Sequence, residues 1–307
     1  MTRQKKSEEE RAVIRAQPHK RPYGVNVRFC LQTAADLGEI DEVCVSIHTG
    51  AYLSIKSERV APWQSGKKYM ISLEGFPTAV AAEAAGRRLV QALLWMAVTT
   101  DTALRLEYVS YEPAAVFERN RSNGSSMTAY LTVGNDPTRM LGELQDGYRE
   151  LPEPNQKLLL SMEIFCSAGL ESSQRTRYLS IVSALEPLAE KIGLGDRVAA
   201  FVQRCVSDLK ASDGITPDIQ RSLEGRLLEL RSESIGQALK RLIREQLPDH
   251  VDAPQIVEEA YALRSQLVHG GVPSDLDVDL DREARAISKV IRAIYASILG
   301  RPLLRDG

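Results

Sequence analysis

Hydrophobic positions alternate with polar or small ones in the first half of the chain and recur every three or four residues in the second. The two halves therefore predict different architectures. Val25, Val27, Phe29 and Leu31 share one face of an extended segment, and Val43, Val45 and Ile47 do the same, which predicts two half-buried strands. Thr49-Gly50 then marks a hairpin turn before a third run at 51–55. A further strand is expected at 68–73, ending at Gly75. From Pro77 the spacing changes: Ala81, Ala85, Leu89, Leu93 and Ala97 recur every four residues and predict a long helix lying across the sheet. Strands at 103–109 and 127–133 are expected on either side of a polar loop at 118–126.

Leu151-Pro152-Glu153-Pro154 marks a connector, because two prolines in three residues interrupt regular structure. Beyond it the strand pattern stops. Helices are predicted at 156–168, 174–191, 196–209, 216–230, 235–246, 254–269 and 281–299, with a kink at Pro187 in the second. Their connectors are short and carry Gly193, Gly195, Gly214, Pro248 and Pro273, as in a bundle. The fold class is α+β: a mixed α/β domain of five or six strands with one long helix over 23–150, read as a sensor or regulatory domain, followed by an all-α domain over 155–307.

Composition narrows the function without naming it. No apolar run approaches the eighteen or so residues needed to span a bilayer, and Leu89 to Val98 reads as core helix between Arg87-Arg88 and Asp101. Residues 1–22 mix Lys5-Lys6, Glu8-Glu9-Glu10, Arg11 and Lys20-Arg21, which suits a flexible extension better than a secretory signal. Cys30, Cys44, Cys166 and Cys205 form no Cys-x-x-Cys pair, so neither structural zinc nor a disulfide framework is expected, as suits a cytoplasmic protein. Up to Glu150 there are 19 basic and 18 acidic residues, and after it 20 and 23, so neither half is a basic nucleic-acid-binding domain. Any contact with nucleic acid must come from a local patch.

Chemistry concentrates late in the chain. The predicted helix at 254–269 places Arg264 five residues before His269 and ends at Gly270-Gly271, where glycine accepts a left-handed cap. Ile256, Ala260, Leu263 and Leu267 make its apolar stripe, widened by Val257, Tyr261 and Val268. An arginine can hold a phosphate while a histidine moves a proton, and RNA brings its own nucleophile in the 2′-OH. Five residues turn a helix by about 500°, so Arg264 and His269 would point about 140° apart if it stayed regular. Either His269 has left the helix at the glycines, or the site combines two copies of the chain across a two-fold axis.

The run Leu263-Arg264-Ser265-Gln266-Leu267-Val268-His269-Gly270 resembles the R-x4-6-H motif of the HEPN superfamily, in particular its prokaryotic Apea-like branch. Tyr178 through Glu186, ending Ala184-Leu185-Glu186, is similar to the apolar helix such proteins carry upstream of the motif. The resemblance covers roughly residues 155 to 300. It implies a helical bundle that forms a homodimer with motifs facing across the interface. In active members it implies a metal-independent endoribonuclease, with no cofactor, in a defence or toxin setting with a regulatory or antitoxin protein. On that likeness Arg264 is the phosphate-binding residue and His269 the general acid or base. Ser265 occupies the position after the arginine, where active members most often carry Asn, Asp or another polar group that orients the histidine. A non-catalytic dimerisation or nucleotide- or partner-binding module is the alternative.

Other residues have plainer readings. Arg264 could neutralise a carboxylate and His269 could close a helix end near its C-terminal dipole. His48 has no metal-ligand partners at suitable spacing and reads as a strand-end histidine. Arg87-Arg88 reads as a solvated helix face. Asp275, Asp277, Asp279 and Asp281 could gather around a divalent cation, but read more simply as an acidic approach to the last helix.

Overall fold

The computed structural model describes residues 21–32, 45–48, 51–58, 67–107, 115–118, 137–271 and 277–303. The strand expected at 127–133, the Thr49-Gly50 turn and residues 1–20 of the N-terminal extension lie outside them. The fold is α+β, with an N-terminal antiparallel sheet and a helical remainder. By compactness the chain divides into two units, one of residues 1–184 and 279–307, the other of residues 185–278. The Pro152-Pro154 connector falls inside the first unit, because the helices after it pack on those before it.

The sheet of the first unit holds β1 (Tyr23–Leu31), β2 (Val45–His48), β3 (Ala51–Glu58), β4 (Lys67–Phe76), β5 (Leu104–Leu106) and β6 (Ala115–Glu118). Its order is β2-β3-β4-β1-β5, with β6 also on β1. Two short strands share that edge: β6 pairs Tyr23 to Asn26 and β5 pairs Phe29 to Leu31, which occupies hydrogen-bonding groups that would otherwise stand open. The alternation works as expected: Val25, Val27, Phe29 and Leu31 are buried, with Leu53 and Ile55 of β3 and Tyr69, Ile71 and Leu73 of β4. Gly24 lies opposite Phe117, whose ring would be 2.5 Å from any Cβ placed there.

Helix α1 (Ala79–Thr99) starts where Thr78 Oγ1 accepts from the Ala81 amide at 3.1 Å. From Leu89 to Thr99 every residue is buried, because α1 packs on β1 and β4 and also on α2 (Pro137–Glu150) and α3 (Gln156–Ala168). Helix α2 was not predicted. Its buried residues Met140, Leu144 and Tyr148 recur every four positions among polar ones, and Gly147 lets it lie close to Ala92 and Trp95 of α1. Arg88 reaches the Leu151 carbonyl, the Glu153 carboxylate and the face of Tyr148, so it fastens helix to connector instead of simply facing solvent. Arg87 pairs with Glu83 one turn away.

Helix α3 begins at Asn155, whose side chain accepts from the amides of Lys157 and Leu158. Helix α4 (Gln174–Ser183) ends earlier than the predicted 191: Pro187 ends the α-helix and leaves a single 3-10 turn, Glu186–Leu188. Proline cannot donate the amide an α-helix would need there. The last helix of the unit, α9 (Leu280–Leu299), returns from the far end of the chain to pack on α4. Ser161 of α3 donates to the Ala184 carbonyl at 2.5 Å and lies 2.8 Å from the Tyr295 hydroxyl of α9, so one buried polar chain ties three helices. Asp279 caps α9 by accepting from the amides of Asp281 and Arg282, and Asp281 pairs with Arg177 and Gln174. Asp279 and Asp281 thus serve the helix start. Asp275 lies outside the described residues, and among those described no group of side chains could hold a metal ion.

The second unit holds α5 (Asp196–Ala211), α6 (Pro217–Glu229), α7 (Ile235–Gln246) and α8 (Ala253–His269). A capping box between Ser234 and Gln237 starts α7, which buries Ala238, Leu239, Leu242 and Ile243. Arg241 on its other side lies 3.1 Å from Glu233, 3.3 Å from Glu245, and donates to the Glu190 carbonyl at 2.5 Å. No helix among the described residues is long and apolar enough to cross a membrane.

Candidate functional site

Helix α8 starts with Pro254 in its first turn and runs unbroken to His269. Gly270 stays right-handed at φ −95°, and Gly271 takes the left-handed turn at φ 79°. His269 therefore remains inside the regular helix, and the route in which it swings free at the glycines is not taken. By helix geometry its side chain points about 140° away from that of Arg264 and lies about 7.5 Å further along the axis.

The burial pattern explains why Arg264 is where it is. Ala253, Val257, Ala260 and Leu267 are buried, in steps of four, three and seven, and Arg264 occupies the position that would complete the stripe. Its side chain is 23% exposed and faces inward along the packed side of α8. A guanidinium there needs a carboxylate. Glu186 supplies one, with its Oε1 2.8 Å from Arg264 Nη2, while the Tyr261 ring lies 5.5 Å below the guanidinium carbon.

No family model, curated protein or solved structure matches the chain. Geometry alone therefore bears on this site. Ser265 is half-buried, and among the described residues it makes no hydrogen bond to Arg264 or His269. His269 is exposed, and Val268 beside it is 50% exposed, so the end of α8 presents an imidazole and an apolar side chain to the surroundings. The structure brings Arg264 to Glu186 and does not bring Arg264 to His269 within one chain.

Glu186 was not picked out as a site residue in its own right. It stands 78 positions before Arg264 and ends the Ala184-Leu185-Glu186 run. The useful signal is an acid held in a 3-10 turn by Pro187, which fixes where the carboxylate points. His48 lies in β2 opposite Ala51, among strand residues.

Proposed function

We propose that the protein is a metal-independent endoribonuclease of the HEPN type, whose active centre forms when two copies bring Arg264 of one and His269 of the other to one phosphodiester. The observation that carries this reading is the meeting of Glu186 and Arg264 at 2.8 Å, which joins in space the two sequence segments that carry the HEPN likeness. Arg264 binds a non-bridging oxygen of the scissile phosphate and offsets its charge. The 2′-oxygen attacks phosphorus as its proton leaves, the 5′-oxygen departs with a proton, and a 2′,3′-cyclic phosphate and a 5′-hydroxyl remain. His269 serves one of those two proton transfers. Glu186 positions the arginine and keeps its charge compensated while the site is empty.

The deciding experiment mixes two inactive variants. Single-stranded RNA is incubated in EDTA with wild type, Arg264→Ala, His269→Ala, and an equimolar co-refolded mixture of the two variants. Wild type cleaves and each variant alone does not. Half of random dimers are mixed, each with one complete centre, so the mixture recovers about a quarter of the activity. A cleavage-competent His269→Ala protein, or wild type inert under all conditions, refutes the reading. Activity in wild type without recovery in the mixture refutes only the shared centre.

The ion pair also favours a second reading, a non-catalytic helical module in which Glu186 and Arg264 clasp the 3-10 turn to α8. There Glu186→Gln and Arg264→Ala destabilise the second unit equally and no RNA is cut.

A further inference from the structure

The first unit contains a cavity of about 540 Å³, within the range of clefts that take small molecules. It opens between the end of α1, the start of β5, α3, α4 and α9. Four cations line it: Arg177 on α4, and Arg285, Lys289 and Arg292 on α9. The last three are spaced by four and three residues and so form one row along a single face of the helix. Two carboxylates stand against them. Asp281 pairs with Arg177 at 3.4 Å, and Asp101 pairs with Arg292, leaving a surplus of two positive charges.

The two pairs are built into the wall. Arg292 lies with its guanidinium carbon 5.8 Å from the centre of the Phe165 ring. Asp101 adopts φ 51°, the one positive φ outside glycine among the described residues, just beyond the end of α1. Arg285 and Lys289 differ: both are exposed, and neither has a hydrogen bond or ion pair among the described residues. A concave site therefore combines two fixed cations, two uncommitted ones at its mouth, the Ser288 hydroxyl and an aromatic edge.

We propose that this cavity binds a phosphate-bearing small molecule, with Arg285 and Lys289 gripping the phosphate and the wall around Phe165, Ala103 and Ile181 receiving its less polar part. Guanidinium and ammonium groups converging from one helix face match a tetrahedral oxyanion. The volume suits a mononucleotide. The inference is independent of RNA cleavage at Arg264 and His269, since every lining residue belongs to the first unit.

The test measures binding to the full-length protein by calorimetry, using inorganic phosphate, adenosine monophosphate and a ten-nucleotide single-stranded RNA at matched ionic strength. The mononucleotide binds wild type, and inorganic phosphate binds more weakly at the same residues. The double variant R285E/K289E raises the Kd for the mononucleotide by at least about tenfold. Arg282→Glu, the same charge change on the same helix outside the cavity, leaves it within about twofold. Both substitutions lie on exposed positions, and circular dichroism verifies folding. No binding to wild type overturns the proposal, as does equal binding by R285E/K289E. If inorganic phosphate binds as tightly as the nucleotide, the site is for free phosphate. RNA binding through the same residues and far tighter than the mononucleotide also overturns it.

Discussion

Replacing Ser161 with alanine tests whether the buried polar chain of the first unit holds its helices in place. Ser161 and Tyr295 are fully buried, and the serine is the point where the Tyr295 hydroxyl and the Ala184 carbonyl meet. Since Ser161 donates to Ala184, the Tyr295 hydroxyl must donate to Ser161. The alanine variant removes both bonds and leaves a hydroxyl and a carbonyl without partners, each costing about 1–3 kcal/mol, so a loss of about 2–6 kcal/mol is expected. Tyr295→Phe removes one bond and strands nothing, because Ser161 keeps Ala184; it costs about 1 kcal/mol. In the double variant only the Ala184 carbonyl is stranded. The sum of the single effects then exceeds the double by about 2–4 kcal/mol, the stranded tyrosine hydroxyl and the one bond counted twice. Urea unfolding followed by tryptophan fluorescence, to which Trp95, buried in the same unit, contributes, reads the transition. A Ser161→Ala loss below about 0.5 kcal/mol, or single effects that add within about 0.3 kcal/mol, would mean that the buried polar chain does not hold these helices.

Three further outcomes are expected. Gly169→Ala puts a Cβ 2.5 Å from that of Ala103, and the forced shift lowers stability by about 1–3 kcal/mol; unchanged denaturation midpoints would contradict this. Burial pushes Tyr148 up to about 12 against the opposing pull of nearby Arg88, and raises Tyr178 and Tyr295 as well. A raised folded value means stability is whole below the ordinary tyrosine range near 10 and drains away as pH climbs from there towards 12, so far-ultraviolet dichroism should fall at the same pH at which tyrosinate absorbance rises. Hydrogen bonding from Arg241 lowers Glu233, a contribution present above the ordinary carboxylate range and lost as pH falls. Arg241→Ala should therefore speed amide exchange at Ile192 and Leu194 at neutral pH, where wild type protects them, and converge with wild type in acid.

Much of the helical architecture was legible because its ends carry chemical signals. Asn155 and Ser234 each stand one residue before a helix that starts where expected, and 156–168 and 235–246 are found at those bounds. The predicted strands around Val25, Ile55 and Ile71 appear because one buried face imposes alternation, and a strand is also found at Ile47. Helix α2 escaped because three apolar residues suffice when α1 supplies the rest of the core and two glycines obscure the pattern. The four-residue β6 is too brief to carry a period. At the candidate site, Arg264 and His269 were conspicuous by type, but the carboxylate that meets the arginine lies 78 positions away and only folding brings it there. The cations of α9 were overlooked because their row gains meaning only once Phe165 and Asp101 close the space around it.

The first unit is interrupted by the second and completed only by residues 279–303. During synthesis the sheet and the first four helices must wait, with the seats of Ile287, Ile291 and Tyr295 empty, while nearly a hundred residues are added. The inserted stretch can reach its own contacts sooner, so it should resist protease while the older segment is still vulnerable. Chains arrested just before Leu280 would thus yield one durable fragment from their C-terminal third, and release of the final helix would convert the remainder in a single step.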